Sequence, residues 1–259
     1  MDWHDQGIVL AIRMHGENSA IAEVLTASRG RHPGLVRGAH SRRLSPVLQP
    51  GNEVEVHWRG RLEEHLGTYQ VEPVRQRAAL LLDDSRRLSG LAALCALAEV
   101  ALPEREPHDA LYRGFQVVLD ALVADGPWAA LIVRWEVQLL QELGFGLDLS
   151  VCAVTGLADD LTHVSPRTGR AVSRAAALPY EGRLLPLPAF LGGAAPAEGA
   201  PTGEDGVPPG DIAAGFALTG HFIMRHLLEP RRLKMPPARS RLVSRFLAQP
   251  GTSGSVFPQ

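Results

Sequence analysis

A change of hydrophobic period near residue 78 constrains this chain more than any other feature. Ahead of it, apolar residues alternate with polar ones, as in half-buried strands; beyond it they recur at helical spacing. The alternation is strictest in Glu53-Val54-Glu55-Val56-His57-Trp58, which follows the turn signal Pro50-Gly51-Asn52. Similar β-like runs cover residues 7–13, 20–26, 35–37 and 68–72. Five short strands in under 80 residues predict a small barrel, closed or partly closed. An OB fold and an SH3-like barrel share this strand count, so pattern alone does not choose between them.

The second part of the chain reads as helices. Residues 80–101 are rich in Leu and Ala, with Ser85 and Ser89 as candidate caps and Pro103 as a stop. Residues 108–124 end at Gly126-Pro127. Trp128, Leu131, Ile132, Trp135, Leu139 and Leu143 then share one helical face. Residues 146–191 are irregular. Residues 192–210 hold 14 Gly, Pro or Ala in 19 positions and read as a flexible linker. Asp211 is read as the cap of a further helix, Pro236-Pro237 opens a last short one, and residues 249–259 are expected to fray.

Charge is unevenly spread. The chain has a formal net charge of −2, with 26 Lys+Arg, all Arg but Lys234. Residues 29–61 nevertheless carry Arg29, Arg31, Arg37, Arg42, Arg43, Arg59 and Arg61 against Glu53 and Glu55. A second basic run occupies 225–245, with only Glu229 against it. A basic face on a barrel suits a phosphate track, because each neutralised phosphate releases counterion. Trp58 and Tyr69 are candidate base-stacking residues if they face outward; an alternating strand can equally bury them. Arg113 and Arg134 are candidates for docking a partner's acidic tail, although each is individually more ordinary as a surface residue.

Several chemistries lack their motifs. Lys234 follows no glycine-rich turn, no Gly-x-Gly-x-x-Gly follows a strand, and neither Gly-x-Ser-x-Gly nor His-Glu-x-x-His occurs. The ten histidines are scattered and are expected mostly at the surface. His221 and His226, five apart, align poorly on one helix face. Nothing calls for an enzyme. The two cysteines, Cys95 and Cys152, are too few for a four-cysteine zinc site or a disulfide framework. Met1-Asp2-Trp3-His4-Asp5 lacks the character of a signal peptide, and a cytoplasmic protein is expected.

A family resemblance adds to this reading. Gly7-Ile8-Val9-Leu10, Gly16-Glu17-Asn18-Ser19-Ala20, Thr26, Gly30-Arg31, Gly34-Leu35-Val36-Arg37-Gly38-Ala39 and Gln49-Pro50-Gly51-Asn52 resemble the N-terminal domain of the RecO family of bacterial recombination and repair mediators. Leu143-Gly144-Phe145, Leu147-Asp148-Leu149, Cys152 and Ser165-Pro166-x-x-Gly169 are similar to its middle region. The tail from Leu218-Thr219-Gly220-His221-Phe222 to Arg241-Leu242 looks like the alphaproteobacterial branch.

The resemblance implies an α+β multidomain chain. An OB-fold barrel over 1–78 would precede a mainly α-helical domain over 79–145 and 211–248. Residues 146–191 would form a degenerate zinc-finger-like insertion without zinc. Many family members hold that metal with two Cys-x-x-Cys pairs; here the corresponding positions are Cys152 and Thr155, then Ser173 and Ala176. No cofactor is implied. Also implied are binding of single- and double-stranded DNA, annealing of complementary strands, and work at the nucleoid with RecR and single-stranded-DNA-binding protein to load RecA. The alternatives are an OB-fold RNA binder, an adaptor using only the helical domain, and, least favoured, a hydrolase built on the scattered histidines.

Overall fold

The structure, a computed structural model, describes residues 1–195 and 206–248. Half of the expected linker and the whole 249–259 tail lie outside the described residues.

Five strands come first: β1 (Asp2–His15), β2 (Ser19–Thr26), β3 (Gly30–Arg37), β4 (Glu53–Arg59) and β5 (Thr68–Arg75). They close into a barrel in the order β1-β2-β3-β5-β4, consistent with an OB fold. Antiparallel β1–β4 pairing, with Trp3 opposite Trp58, closes one seam. The short parallel β3–β5 pairing, Leu35 opposite Thr68 and Val36 opposite Tyr69, closes the other. β1 begins five residues earlier than the alternation suggested, because β4 offers Asp2–Gln6 a pairing edge that no local pattern records.

Inward-facing Val9, Val24, Val36, Val54, Val56 and Val71 fill the barrel. Burial of such side chains contributes roughly 1.5–3 kcal/mol each. Trp58 and Tyr69 belong to this core, at 0% and 4% exposure. Both are therefore corrected from base-stacking residues to barrel interior. Trp58 has the same strand parity as Val54 and Val56, and Tyr69 the parity of Val71, so each pair shares a face. The Trp58 indole N–H donates to the Leu66 carbonyl at 3.0 Å. The Tyr69 ring fills the space over Gly34, where an added Cβ would stand 2.2 Å from it.

Helices α1 (Arg77–Leu80), α2 (Ser85–Ala101) and α3 (Asp109–Val123) follow. Asp84, rather than Ser85 or Ser89, caps α2, its carboxylate accepting the Arg86 and Arg87 N–H groups. These helices fall in one compact unit with the barrel, comprising Met1–Ala124 and Pro236–Arg239. This compact unit thus runs on past residue 78 to Ala124. Arg77 explains part of this. Buried on α1, it reaches Glu53 of β4 at 3.0 Å and Asp120 of α3 at 2.9 Å.

Among the described residues, the second unit comprises residues 125–195, 206–235 and 240–248. It holds α4 (Trp128–Glu142), the small sheet of β6 (Leu161–Val164), β7 (Ala171–Ser173) and β8 (Leu185–Pro186), α5 (Arg174–Ala177) and α6 (Pro209–Phe222). A π-helical segment, Ile223–Leu228, continues α6. The last helix, α7 (Pro237–Leu247), brings Phe246 against Trp128 and Phe216. Helix α6 starts at Pro209, so Asp211 does not cap it; its carboxylate instead accepts the Ala189 N–H at 3.2 Å. Thr219 of α6 donates its hydroxyl to the buried Glu136 of α4.

Candidate nucleic-acid interface

The segment between β3 and β4 carries the densest part of the basic run. Gly38 adopts φ +66°, turning the chain out of β3, a backbone region that favours glycine. Ser41 then starts a helical turn, its hydroxyl accepting the Leu44 N–H at 3.2 Å and its carbonyl the Ser45 N–H at 3.0 Å. Val47 and Leu48 are buried against the barrel. Asn52 anchors the far end: its amide donates to the Pro46 and Val47 carbonyls at 2.9 and 3.1 Å, and its oxygen accepts the Ala78 N–H at 3.0 Å. Arg42 and Arg43 are thereby exposed on an ordered ledge.

Beside this ledge lies an open groove of about 690 Å³ between the end of β3 and β5. Val36, Tyr69 and Val71 contribute its apolar lining, Arg37 and Arg43 its positive charge, and Glu72 its one acid. Among the described residues, Arg37, Arg42, Arg43 and Arg61 make no ion pair, leaving their guanidinium groups open to an anionic ligand.

The other arginines of the run differ. Arg31 is corrected: it is 9% exposed, donates to Glu23 at 2.8 Å and to the Leu102 carbonyl at 3.0 Å, and neutralises a carboxylate that is itself 1% exposed. Arg13 takes the other Glu23 oxygen at 2.5 Å, so the buried carboxylate is shared by two guanidinium groups, and Arg31, bonded also to the Leu102 carbonyl, is held within the fold. Arg29 pairs with Glu63 at 2.6 Å and lies over the Trp3 ring. Arg59 is exposed and 4.0 Å from Asp2. Of the docking candidates, Arg113 pairs with Asp109 one turn away on α3, and Arg134 donates to the Phe190 carbonyl at 2.9 Å.

His32, expected at the surface, is 1% exposed behind Tyr69. Its Nδ1 lies 2.9 Å from the Pro33 carbonyl, which can only accept, so Nδ1 carries the proton. Burial, reinforced by Arg105, pushes its pKa down to about 4 from 6.5. Protonation therefore favours the unfolded chain: the stabilisation is complete above pH 6.5 and is lost as pH falls through 4. Between pH 6.5 and about 5 the loss amounts to roughly 2 kcal/mol. Thermal unfolding across that window will show a falling midpoint, and His32→Phe will flatten it. An equally steep fall in the variant would remove His32 as the cause.

In the second unit, Cys152 is buried and its sulfur lies 3.3 Å from the Ser173 N–H and 3.4 Å from the Ser173 hydroxyl. Burial pushes the thiol pKa up, but hydrogen bonds from Ser173 and Thr155 outweigh it and bring it down to about 6. One sulfur and two hydroxyls do not fit the four nitrogen or sulfur ligands of a structural zinc. Among the described residues no group of three or more His, Cys, Asp or Glu side chains is placed to hold a metal ion. Nor, among them, is any helix long and apolar enough to cross a membrane.

Comparison with known proteins bears on the whole chain. Residues 1–77 match the family description "Recombination protein O N terminal", and residues 82–235 match "Recombination protein O C terminal". A protein of Rhodospirillum centenum named "DNA repair protein RecO" is 50% identical over 256 residues, covering 98% of each chain. Proteins of the same name from Cereibacter sphaeroides and Agrobacterium fabrum are 50% and 49% identical, covering 94% and 95% of this chain and 97% and 94% of their own.

Proposed function

This chain belongs to the RecO family of DNA repair proteins, and on that premise we propose that it is a non-enzymatic mediator that binds DNA on its barrel and anneals complementary strands. The observation that carries the reading is the ordered ledge and groove bearing the unpaired Arg37, Arg42 and Arg43. Contacts from these guanidinium groups to phosphate position a strand without reading its sequence. Gathering two strands on basic surface screens their mutual repulsion and raises their local concentration. No covalent bond is made or broken, so the reaction needs no nucleotide and no catalytic constellation. In this reading the protein acts in the cytoplasm at the nucleoid, with RecR and single-stranded-DNA-binding protein as partners in loading RecA.

The test is annealing of complementary strands precoated with single-stranded-DNA-binding protein. Wild type will anneal them rapidly, and Arg42→Ala/Arg43→Ala will do so at least about tenfold more slowly, as expected for the loss of two phosphate contacts. A folded wild type that anneals nothing would overturn the reading; preference for RNA would favour the RNA-binding alternative.

We also propose that residues 146–191 form a zinc-less counterpart of the family's zinc-binding segment, held by the Cys152–Ser173 hydrogen bonds and the small β-sheet. Metal analysis of the purified protein will find less than a stoichiometric amount of zinc, and chelation will leave its melting temperature unchanged. One tightly held equivalent would refute this.

A further inference from the structure

The second basic run, residues 225–245, is not used by the barrel reading. It begins on the π-helical segment that extends α6, and π-helical turns recur at functional sites. That segment carries His226 into a parallel ladder of rings. Phe222 and His226 are 6.0 Å apart with planes 4° from parallel, and His226 and Phe145 are 4.8 Å apart at 14°. The inner ring, Phe222, is 2% exposed, while the outer ring, Phe145, is 39% exposed. The ladder thus opens to solvent at one end with an aromatic face.

Phe145 is held there by the end of α4. Gly144 takes φ +86° and donates its N–H to Gln141 O at 3.1 Å, while the Phe145 N–H donates to Leu140 O at 2.7 Å. These are the two bonds of a Schellman cap, which determine where the residue after the glycine emerges. Burial, Arg225 and His221 all lower the pKa of the middle ring, His226, which favours its neutral form. His221 Nε2 and Arg225 Nη1 both donate to the Pro166 carbonyl, at 3.0 and 2.7 Å, tying the 165–169 turn to the same segment.

Positive charge follows Phe222 of the ladder in sequence. Arg225, Arg232 and Lys234 are exposed, and Glu229 is the one acid between residues 225 and 234. Arg232 is held in the left-handed region, φ 56°, where its N–H meets the Glu229 carbonyl at 2.9 Å. An exposed aromatic face, with guanidinium and ammonium groups on the stretch of chain that follows Phe222, supplies the two elements that bind single-stranded nucleic acid without sequence preference.

We infer that the Phe145 end of this ladder is a second single-stranded DNA site, one base stacking on Phe145 while Arg225, Arg232 and Lys234 hold flanking phosphates. The inference rests on the DNA-binding reading of the chain and supplies it with a second strand position, separate from the barrel groove. A base on Phe145 would extend the stack by one ring, and Arg225, already oriented by Pro166, would meet its phosphate with little loss of side-chain freedom.

The probe is a dT oligonucleotide carrying 5-iododeoxyuridine, bound to the full-length protein and photocrosslinked. Adducts are expected on peptides containing Phe145 or residues 222–234, and will persist in Arg42→Ala/Arg43→Ala. In that barrel variant, adding Phe145→Ala will weaken oligonucleotide binding by about tenfold, the effect of losing one base–aromatic stack, while Phe145→Trp will retain it. Arg232→Ala/Lys234→Ala will reduce the salt slope by about 1.4. Unchanged melting temperatures will establish that each variant is folded. Adducts confined to barrel peptides, or unchanged binding by the Phe145→Ala protein, would overturn the inference. A barrel variant that binds as wild type, with Phe145→Ala impaired, would overturn the barrel reading alone; absence of any DNA binding would overturn both.

Discussion

Raising monovalent salt from about 50 to about 200 mM will weaken binding of a short single-stranded oligonucleotide to the barrel by about a hundredfold. The estimate follows from counting guanidinium groups left without a protein partner. Arg37, Arg42, Arg43 and Arg61 make no ion pair among the described residues, and Arg59 has only a distant carboxylate at 4.0 Å. Each phosphate neutralised on a single strand contributes about −0.7 to the slope of log affinity against log salt, so four to five contacts produce a slope near about −3. Arg42→Ala/Arg43→Ala will make that slope shallower by about 1.4. Arg31→Ala will leave it unaltered, because Arg31 is occupied by Glu23. Fluorescence anisotropy at four or so salt concentrations reads all three slopes. A wild-type slope near zero would exclude phosphate contacts, and a slope lowered by Arg31→Ala would return that residue to the DNA-facing set.

Arg77→Ala will destabilise the first unit by about 3–5 kcal/mol, the usual cost of breaking a buried ion pair from one side. The Arg77 side chain is 4% exposed and that of its partner Glu53 is 9% exposed, so the variant leaves a carboxylate almost out of water and without its cation. The second partner, Asp120, is 58% exposed and can rehydrate. Asp120→Ala will accordingly cost no more than about 1 kcal/mol. Chemical denaturation of the two variants side by side tests this asymmetry. Equal and small effects would mean that Glu53 does not depend on Arg77. Arg77 with its two partners joins β4, α1 and α3, so the weakened transition will be that of the barrel and its helices together.

The candidate site was partly legible in the residues. Gly38 and Pro50-Gly51-Asn52 bracket the segment that carries Arg42 and Arg43, and both brackets are turn chemistry that acts over a few residues. The parity of Trp58 with Val54 and Val56 also stood in the sequence, but left open whether the indole faces the core or solvent until the barrel closed. No such local signal separates Arg31 from Arg37. Their difference arises because Glu23 on the neighbouring strand is buried beside one of them and no carboxylate meets the other. His32 was hidden for the same reason, since a histidine in a short strand carries no mark of which side will be sealed.

By itself, the sequence determined the change from strands to helices near residue 78, the turns that bound the arginine ledge and the shortage of zinc ligands. Alternation, helical spacing and turn residues act between neighbours, and composition needs no fold to be counted. Only the tertiary structure decided which arginines remain free, that Trp58 and Tyr69 close the barrel from within, that α2 and α3 join it, and that Phe145, His226 and Phe222 stack. Each of those outcomes depends on a partner on another element, brought near when the barrel closes or the helices pack, and on which side chain then loses its water.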